Sequence, residues 1–299
     1  MVRLELGQIG TAMVTPFSEE GSIDRDLLEK LIEHLIGSGT DSLIVCGTTG
    51  ESPTLNHAEK AVLFASAIEI VNGRIPVIAG TGTFNTAETI KLTKTAESLG
   101  ADGIMLVTPY YNKPDQKGMY AHFSHIAKET ELPLLLYNIP GRSAVNMLPE
   151  TVIALSKLKN IRAVKEASGS LDQMAEIITK TDSGFKVYSG DDALTLPLLS
   201  IGGEGVISVA SHVVGNEMQQ MINAFKSGNT KEAAKIHRIL LPLFHAVFSA
   251  PNPIPIKYAL QKIGIETGGV RLPLMSNGEG AAEFDQVWDA FQKQMKLEH

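Results

Sequence analysis

The sequence predicts an α/β protein: a closed (β/α)8 TIM barrel followed by a C-terminal helical appendage. Three observations lead there. Short β-branched apolar runs alternate eight times with longer segments of helical period. The strands are apolar throughout rather than at every second residue, as expected of a sheet covered on both faces. Their C-terminal ends recur every 19 to 33 residues, the length of one strand–helix unit. A doubly wound sheet shows the same alternation, but eight units without an early G-x-G-x-x-G fingerprint favour closure.

The candidate strands are residues 10–14, 42–46, 76–79, 103–107, 133–137, 161–165, 186–189 and 205–209. Between them, Leu27, Leu28, Leu31, Ile32, Leu35 and Ile36 follow the three- and four-residue spacing of a helix buried on one face. Ile90, Leu92, Ala96 and Leu99 repeat the pattern. Asp24 or Ser22 caps the first helix and Asn85 with Thr86 the third, while Gly37, Gly39, Gly73 and Gly100 mark helix ends. After an eighth helix near 213–227 no strand pattern returns. Asn229 and Thr230 read as a cap, followed by helical segments near 231–247, 253–263 and 280–296. The chain thus divides into a barrel, 1–228, and a helical region, 229–299, whose last residues (297–299) read as a tag remnant.

Composition narrows the function. Of 299 residues, 43% are hydrophobic and 20% charged, enough to bury a large core. A net charge of −7 gives no electrostatic ground for nucleic acid as a partner, yet leaves a small anionic substrate open. Cys46 is the sole cysteine, so no internal disulfide forms and a reducing compartment is expected. The first residues lack a signal-peptide run. The longest uncharged stretch, 239–256, is broken by Pro242, Pro251, Pro253 and Pro255, which argues against a membrane span. A cytoplasmic protein without membrane attachment is the expectation.

In a barrel, chemistry gathers where strands end. The second strand runs into Cys46-Gly47-Thr48-Thr49-Gly50-Glu51-Ser52, whose hydroxyls and amides suit a carboxylate; the alternative is a tight turn that needs glycine. The fourth ends in Pro109-Tyr110-Tyr111-Asn112, where one tyrosine must leave the local core. The fifth ends in Tyr137 and leads into Asn138-Ile139-Pro140-Gly141-Arg142. Arg142 could fork onto a carboxylate or form a surface ion pair. The sixth strand, Ile161-Arg162-Ala163-Val164-Lys165-Glu166, carries the sharpest signal. Lysine is rare in a buried strand unless paired or working. Desolvation would lower its pKa from about 10.4 toward about 7–8, and a neutral amine in a dry pocket attacks ketones to form a Schiff base. The competing reading pairs Lys165 with Glu166 or an acid on a neighbouring strand. The seventh strand ends in Ser189-Gly190-Asp191-Asp192, where Gly190 leaves room for a ligand and Asp191 caps the next helix. His122 and His125 read as a solvated helix face without a third metal ligand, and Cys46 as a small buried hydrophobe.

Taken together, Gly47-Thr48-Thr49-Gly50-Glu51, Pro109-Tyr110-Tyr111-Asn112, Tyr137 to Arg142, Val164-Lys165-Glu166-Ala167-Ser168-Gly169, Ser189-Gly190-Asp191-Asp192 and Pro251-Asn252-Pro253 resemble the dihydrodipicolinate synthase family over almost the whole chain. That family lies within the N-acetylneuraminate lyase superfamily. The resemblance implies condensation of pyruvate with L-aspartate 4-semialdehyde to give 4-hydroxy-tetrahydrodipicolinate, the first committed step of the diaminopimelate route to lysine. It implies Lys165 as the imine former and Tyr137, Thr48 and Tyr111 as a proton relay, Tyr111 reaching into a neighbouring subunit. Thr49, Gly190 and Ile207 would hold pyruvate, and Arg142 the semialdehyde carboxylate. No metal or organic cofactor is implied. A homo-oligomer is, with a tetramer favoured over the dimer that a shared Tyr111 requires. A 2-keto-3-deoxy-sugar-acid or N-acetylneuraminate aldolase would use the same lysine, although sialic-acid lyases lack the Pro-Gly-Arg turn. A sensor barrel without turnover and a metal-dependent lyase are further alternatives. Lysine-inhibited members hold lysine near positions matching Ser52, His57, Glu88 and Tyr110, but carry asparagine and histidine where this chain has Phe84 and Lys60. An added cation and a lost amide imply weak or absent inhibition by lysine.

Overall fold

The computed structural model describes residues 4–276, 278 and 280–297. The expectations placed on residues 1–3 and 298–299 lie outside the described residues.

Eight parallel strands, each paired with its sequence neighbours and the last with the first, close into a barrel. The first half runs β1 (Ile9–Ala12), α1 (Arg25–Gly37), β2 (Ser42–Val45), α2 (His57–Val71), β3 (Val77–Gly80), α3 (Thr86–Ser98), β4 (Gly103–Val107) and α4 (Gln116–Ala127). The second half begins with β5 (Leu134–Asn138), the short α5 (Pro140–Ser143) and α6 (Pro149–Leu155). It continues through β6 (Ile161–Glu166), α7 (Leu171–Lys180), β7 (Lys186–Ser189), α8 (Thr195–Ser200), β8 (Gly205–Ser208) and α9 (Ser211–Lys226). Then α10 (Thr230–Ala246), α11 (Ile254–Lys262) and α12 (Ala281–Leu297) follow, with no further strand among the described residues.

Local chemistry sets these elements. Asp24 caps α1 by accepting from Leu27 N–H, Asn85 caps α3, and Asn56 with Glu59 forms a reciprocal capping box at α2. The predicted first strand overruns β1 because Met13 N–H still bonds Ile44 C=O, beyond the last regular pairing. Alternation along each strand splits the core in two. Ala12, Ile44, Ile78, Met105, Leu135, Tyr137, Ala163, Tyr188 and Ile207 pack inside the barrel. Leu43, Val45, Leu106, Leu136, Val164 and Val206 face outward and share one apolar layer with the helices, including Leu240, Phe244, Leu260 and Phe284 of the C-terminal segments. Burying both faces is what lets the strands be apolar at every position.

One expectation about the helices is corrected. His122 does not lie on a solvated face: it is buried, its Nδ1 is 2.9 Å from the Thr86 hydroxyl and its ring packs edge-on to Phe123. Burial lowers its pKa to about 4. Only His125 of the pair is exposed, because Thr86 opens the neighbouring helix and offers a hydroxyl that the spacing of histidines does not reveal.

Candidate active site

At the C-terminal end of the strands a cavity of about 210 Å³ opens, lined by Cys46, Gly47 and Thr48 of the β2 exit, Gly80 and Gly82 after β3, and Tyr110, Tyr137, Ile139 and Arg142. Glycine is required here for close approach. A Cβ on Gly80 would lie 2.5 Å from the Cys46 carbonyl oxygen, and one on Gly82 2.4 Å from Val107 N. The left-handed conformations in the β2 loop belong instead to Cys46 and Glu51, at φ 59° and 56°. Cys46 is buried as expected, and burial pushes its thiol up to about 12, far from a reactive thiolate.

Lys165 and Tyr137 stand opposite each other in the β5–β6 register and both point into the barrel. Lys165 is 5% exposed, with its Nζ 4.2 Å from the centre of the Tyr137 ring. Burial lowers the lysine pKa to about 8; the Asp192 carboxylate opposes that fall and the Arg142 guanidinium adds to it. Burial likewise raises the Tyr137 phenol to about 12, against a hydrogen bond with the Thr48 side chain and the charge of Arg142. At neutral pH the phenol therefore holds its proton while the amine is within reach of its neutral form. Gly190 closes the far side: a Cβ there would lie 3.1 Å from Lys165 Cε and 2.6 Å from the Ala167 side chain.

Three buried carboxylates surround this arrangement, and none touches Lys165. Glu166 points to the opposite face of β6, where it accepts from Asn138 Nδ2, Ser168 N–H and Gln173 Nε2. Strand alternation thus removes the expected alternative of a Lys165–Glu166 pair. Glu51 is paired with the buried Lys257 ammonium at 2.9 Å. Asp192 accepts from the Ser208 hydroxyl and from the N–H groups of Val209 and Ala210, and acts on Lys165 only through its charge. Asp191 caps the turn that follows β7, accepting from Ala193 N–H.

The other candidate residues divide. Ile207 lies inside the barrel, in the same apolar cluster as Tyr137. Thr49 is buried and its hydroxyl accepts from Asn252 Nδ2 at 2.9 Å, tying the β2 loop to the C-terminal region. Arg142 is exposed at the rim, and its guanidinium has no hydrogen-bond or ion-pair partner among the described residues. Tyr111 is 89% exposed with φ 69° and lines no part of the cavity, so within one chain it is not brought to the others. Ser52, His57, Lys60, Phe84, Glu88 and Tyr110 line a second cavity of about 280 Å³, which shares Ser52, Pro53 and Tyr110 with the first. Asn138 and Asp192, buried supports of the site, were missed as such. Their only sequence signal is a polar residue beside a strand end.

The Dihydrodipicolinate synthetase family model matches residues 5–287. The 4-hydroxy-tetrahydrodipicolinate synthase of Bacillus velezensis is 56% identical over 276 residues, covering 92% of this chain and 96% of its own. The Listeria monocytogenes protein of that name is 53% identical over 293 residues, with 97% and 100% covered. Among solved structures, a dihydrodipicolinate synthase from Bacillus anthracis superposes with TM-score 0.94 at 50% identity, over 96% of this chain and 98% of that one. A lysine-bound relative from Cyanidioschyzon merolae gives 0.94 at 48% identity, with the same coverage. With a match that spans nearly the whole chain and relatives more than half identical to it, the chain belongs to the dihydrodipicolinate synthetase family.

Proposed function

We propose that this protein condenses pyruvate with L-aspartate 4-semialdehyde to give 4-hydroxy-tetrahydrodipicolinate through an imine on Lys165. The observation that carries the reading is the Lys165–Tyr137 pair: a buried amine with its pKa lowered to about 8, held 4.2 Å above a phenol ring that stays protonated. The neutral amine adds to the keto carbon of pyruvate and water leaves, giving an iminium that draws electrons from the adjacent methyl carbon. Loss of a methyl proton then gives the enamine, whose attack on the aldehyde forms the carbon–carbon bond; the semialdehyde amine then adds to the imine carbon and displaces the Lys165 amine, closing the ring and freeing the product. Tyr137, bonded to Thr48, stands next to the nitrogen and shuttles protons, with Thr49, Gly190 and Ile207 around the pyruvate end.

Arg142 receives the semialdehyde carboxylate, which fits an exposed guanidinium with no partner of its own at the cavity rim. Tyr111 completes the relay of a neighbouring subunit. Its exposure outside its own cavity supports that role and the homo-oligomer it needs, with a tetramer favoured. In this reading residues 1–228 form the catalytic barrel and 229–299 a helical support, and the enzyme works in the cytoplasm without a bound cofactor. The names of the curated relatives favour this substrate pair over a sugar-acid aldehyde.

The test is reductive trapping. Incubation with pyruvate and borohydride, followed by peptide mapping, is expected to place the adduct on Lys165. An adduct elsewhere, or none, overturns the reading.

A further inference from the structure

The pairing of Tyr137 with Lys165 inside the barrel has a counterpart one step further along the same two strands. Asn138 stands opposite Glu166, and alternation turns both outward, under the helices. Asn138 is fully buried. Its Nδ2 donates to the two Glu166 carboxylate oxygens at 3.0 and 3.1 Å and to Asn146 Oδ1 at 2.7 Å. Its Oδ1 accepts from Met147 N–H at 2.9 Å. Asn146 is held in turn by Gln173, whose Oε1 accepts from Asn146 Nδ2 at 2.9 Å and whose Nε2 donates to Glu166 at 2.9 Å.

A buried amide costs free energy unless its donors and acceptor are satisfied, and one that meets all its partners holds them rigidly in place. Asn138 spends its donors on β6 and on Asn146, and its acceptor on Met147. Asn146 and Met147 close the segment 139–147, and Arg142 rides on that segment. None of the network residues lines the cavity. The guanidinium has no protein partner of its own among the described residues, so the backbone beneath it must fix where it stands.

We propose that Asn138 is a positioning residue for the second substrate: it fastens the Arg142-bearing segment to the strand that carries Lys165, and so sets the span between the imine nitrogen and the carboxylate-binding guanidinium. This rests on the roles given above to Lys165 and Arg142. A displacement of about 1 Å at such a contact is enough to weaken productive binding many-fold.

Asn138→Ala strips Glu166 of one of its donors and the segment of both its ties, and risks misfolding, so the decisive variant is Asn146→Ala, which removes one loop-side partner and leaves the bonds from Asn138 to Glu166 and Met147. It is expected to raise the KM for aspartate semialdehyde about tenfold while the pyruvate KM and the rate of borohydride trapping stay unchanged. On an Arg142→Ala background the same substitution is expected to change the semialdehyde KM less than about twofold, because both act through one contact. An undiminished effect on that background overturns the proposal, as does an unchanged semialdehyde KM or a matching rise in both KM values. Failure of the underlying reading shows separately, as an Arg142→Ala enzyme with an unaltered semialdehyde KM, and that result overturns the proposal too.

Discussion

Replacing Lys165 by methionine should make an inactive protein that is more stable than the active one. The folded-state pKa of Lys165, about 8, lies below the unfolded value of about 10.4. The ammonium is thus disfavoured by folding, a cost fully present below pH 8 and lost as the pH rises through the unfolded value. The gap corresponds to about 3 kcal/mol. Lys165→Met keeps most of the packing volume without the charge, so the gain at pH 7 is at most about 3 kcal/mol, or roughly 5–10 °C in melting temperature. Thermal unfolding of both proteins between about pH 6 and pH 9.5 measures it, and the advantage should shrink above pH 8 as the folded wild-type amine sheds its proton while the unfolded one keeps it. A methionine variant that melts at or below the wild type at pH 7, or whose advantage grows with pH, refutes the argument.

Two further outcomes follow from buried charges elsewhere. Glu51→Gln leaves the Lys257 ammonium, 5% exposed, without its counter-charge and with only neutral oxygens, those of the introduced amide and of the Thr15 and Gly269 carbonyls. Denaturant unfolding should show a loss of about 3 kcal/mol, together with lower activity because Glu51 sits in the loop that carries Thr48; unchanged stability would show that the carbonyls suffice. Free lysine should inhibit weakly, because Lys60, 8% exposed in the cavity that Glu88 also lines, adds a cation that repels a cationic ligand. A steady-state inhibition constant below about 1 mM would contradict this.

The barrel was legible because its signal is repetitive: eight apolar strands at βα spacing, of which Gly103–Val107 and Leu134–Asn138 are clear examples. Lys165 was legible for a different reason. A long amine in an otherwise aliphatic buried strand violates the local pattern, and such violations mark function. What escaped depends on partners far along the chain. The bond from Asn252 to Thr49 spans 203 residues, and Asn138 reads as an ordinary turn residue until Met147 folds back onto it. His122 was misjudged because spacing on one helix carries no information about the hydroxyl that the next helix presents. The β2 loop read either as a cradle for a carboxylate or as a tight turn that needs glycine, and the structure puts its left-handed bends at Cys46 and Glu51 instead.

The ties from Asn252 to Thr49, from Lys257 to Glu51 and from Arg271 N–H to Glu51 bear on the order in which a newly made chain matures. All eight strands leave the ribosome before any of these three anchors exists. The loop bearing Thr48 therefore gains these contacts only once residues 252–271 have been made.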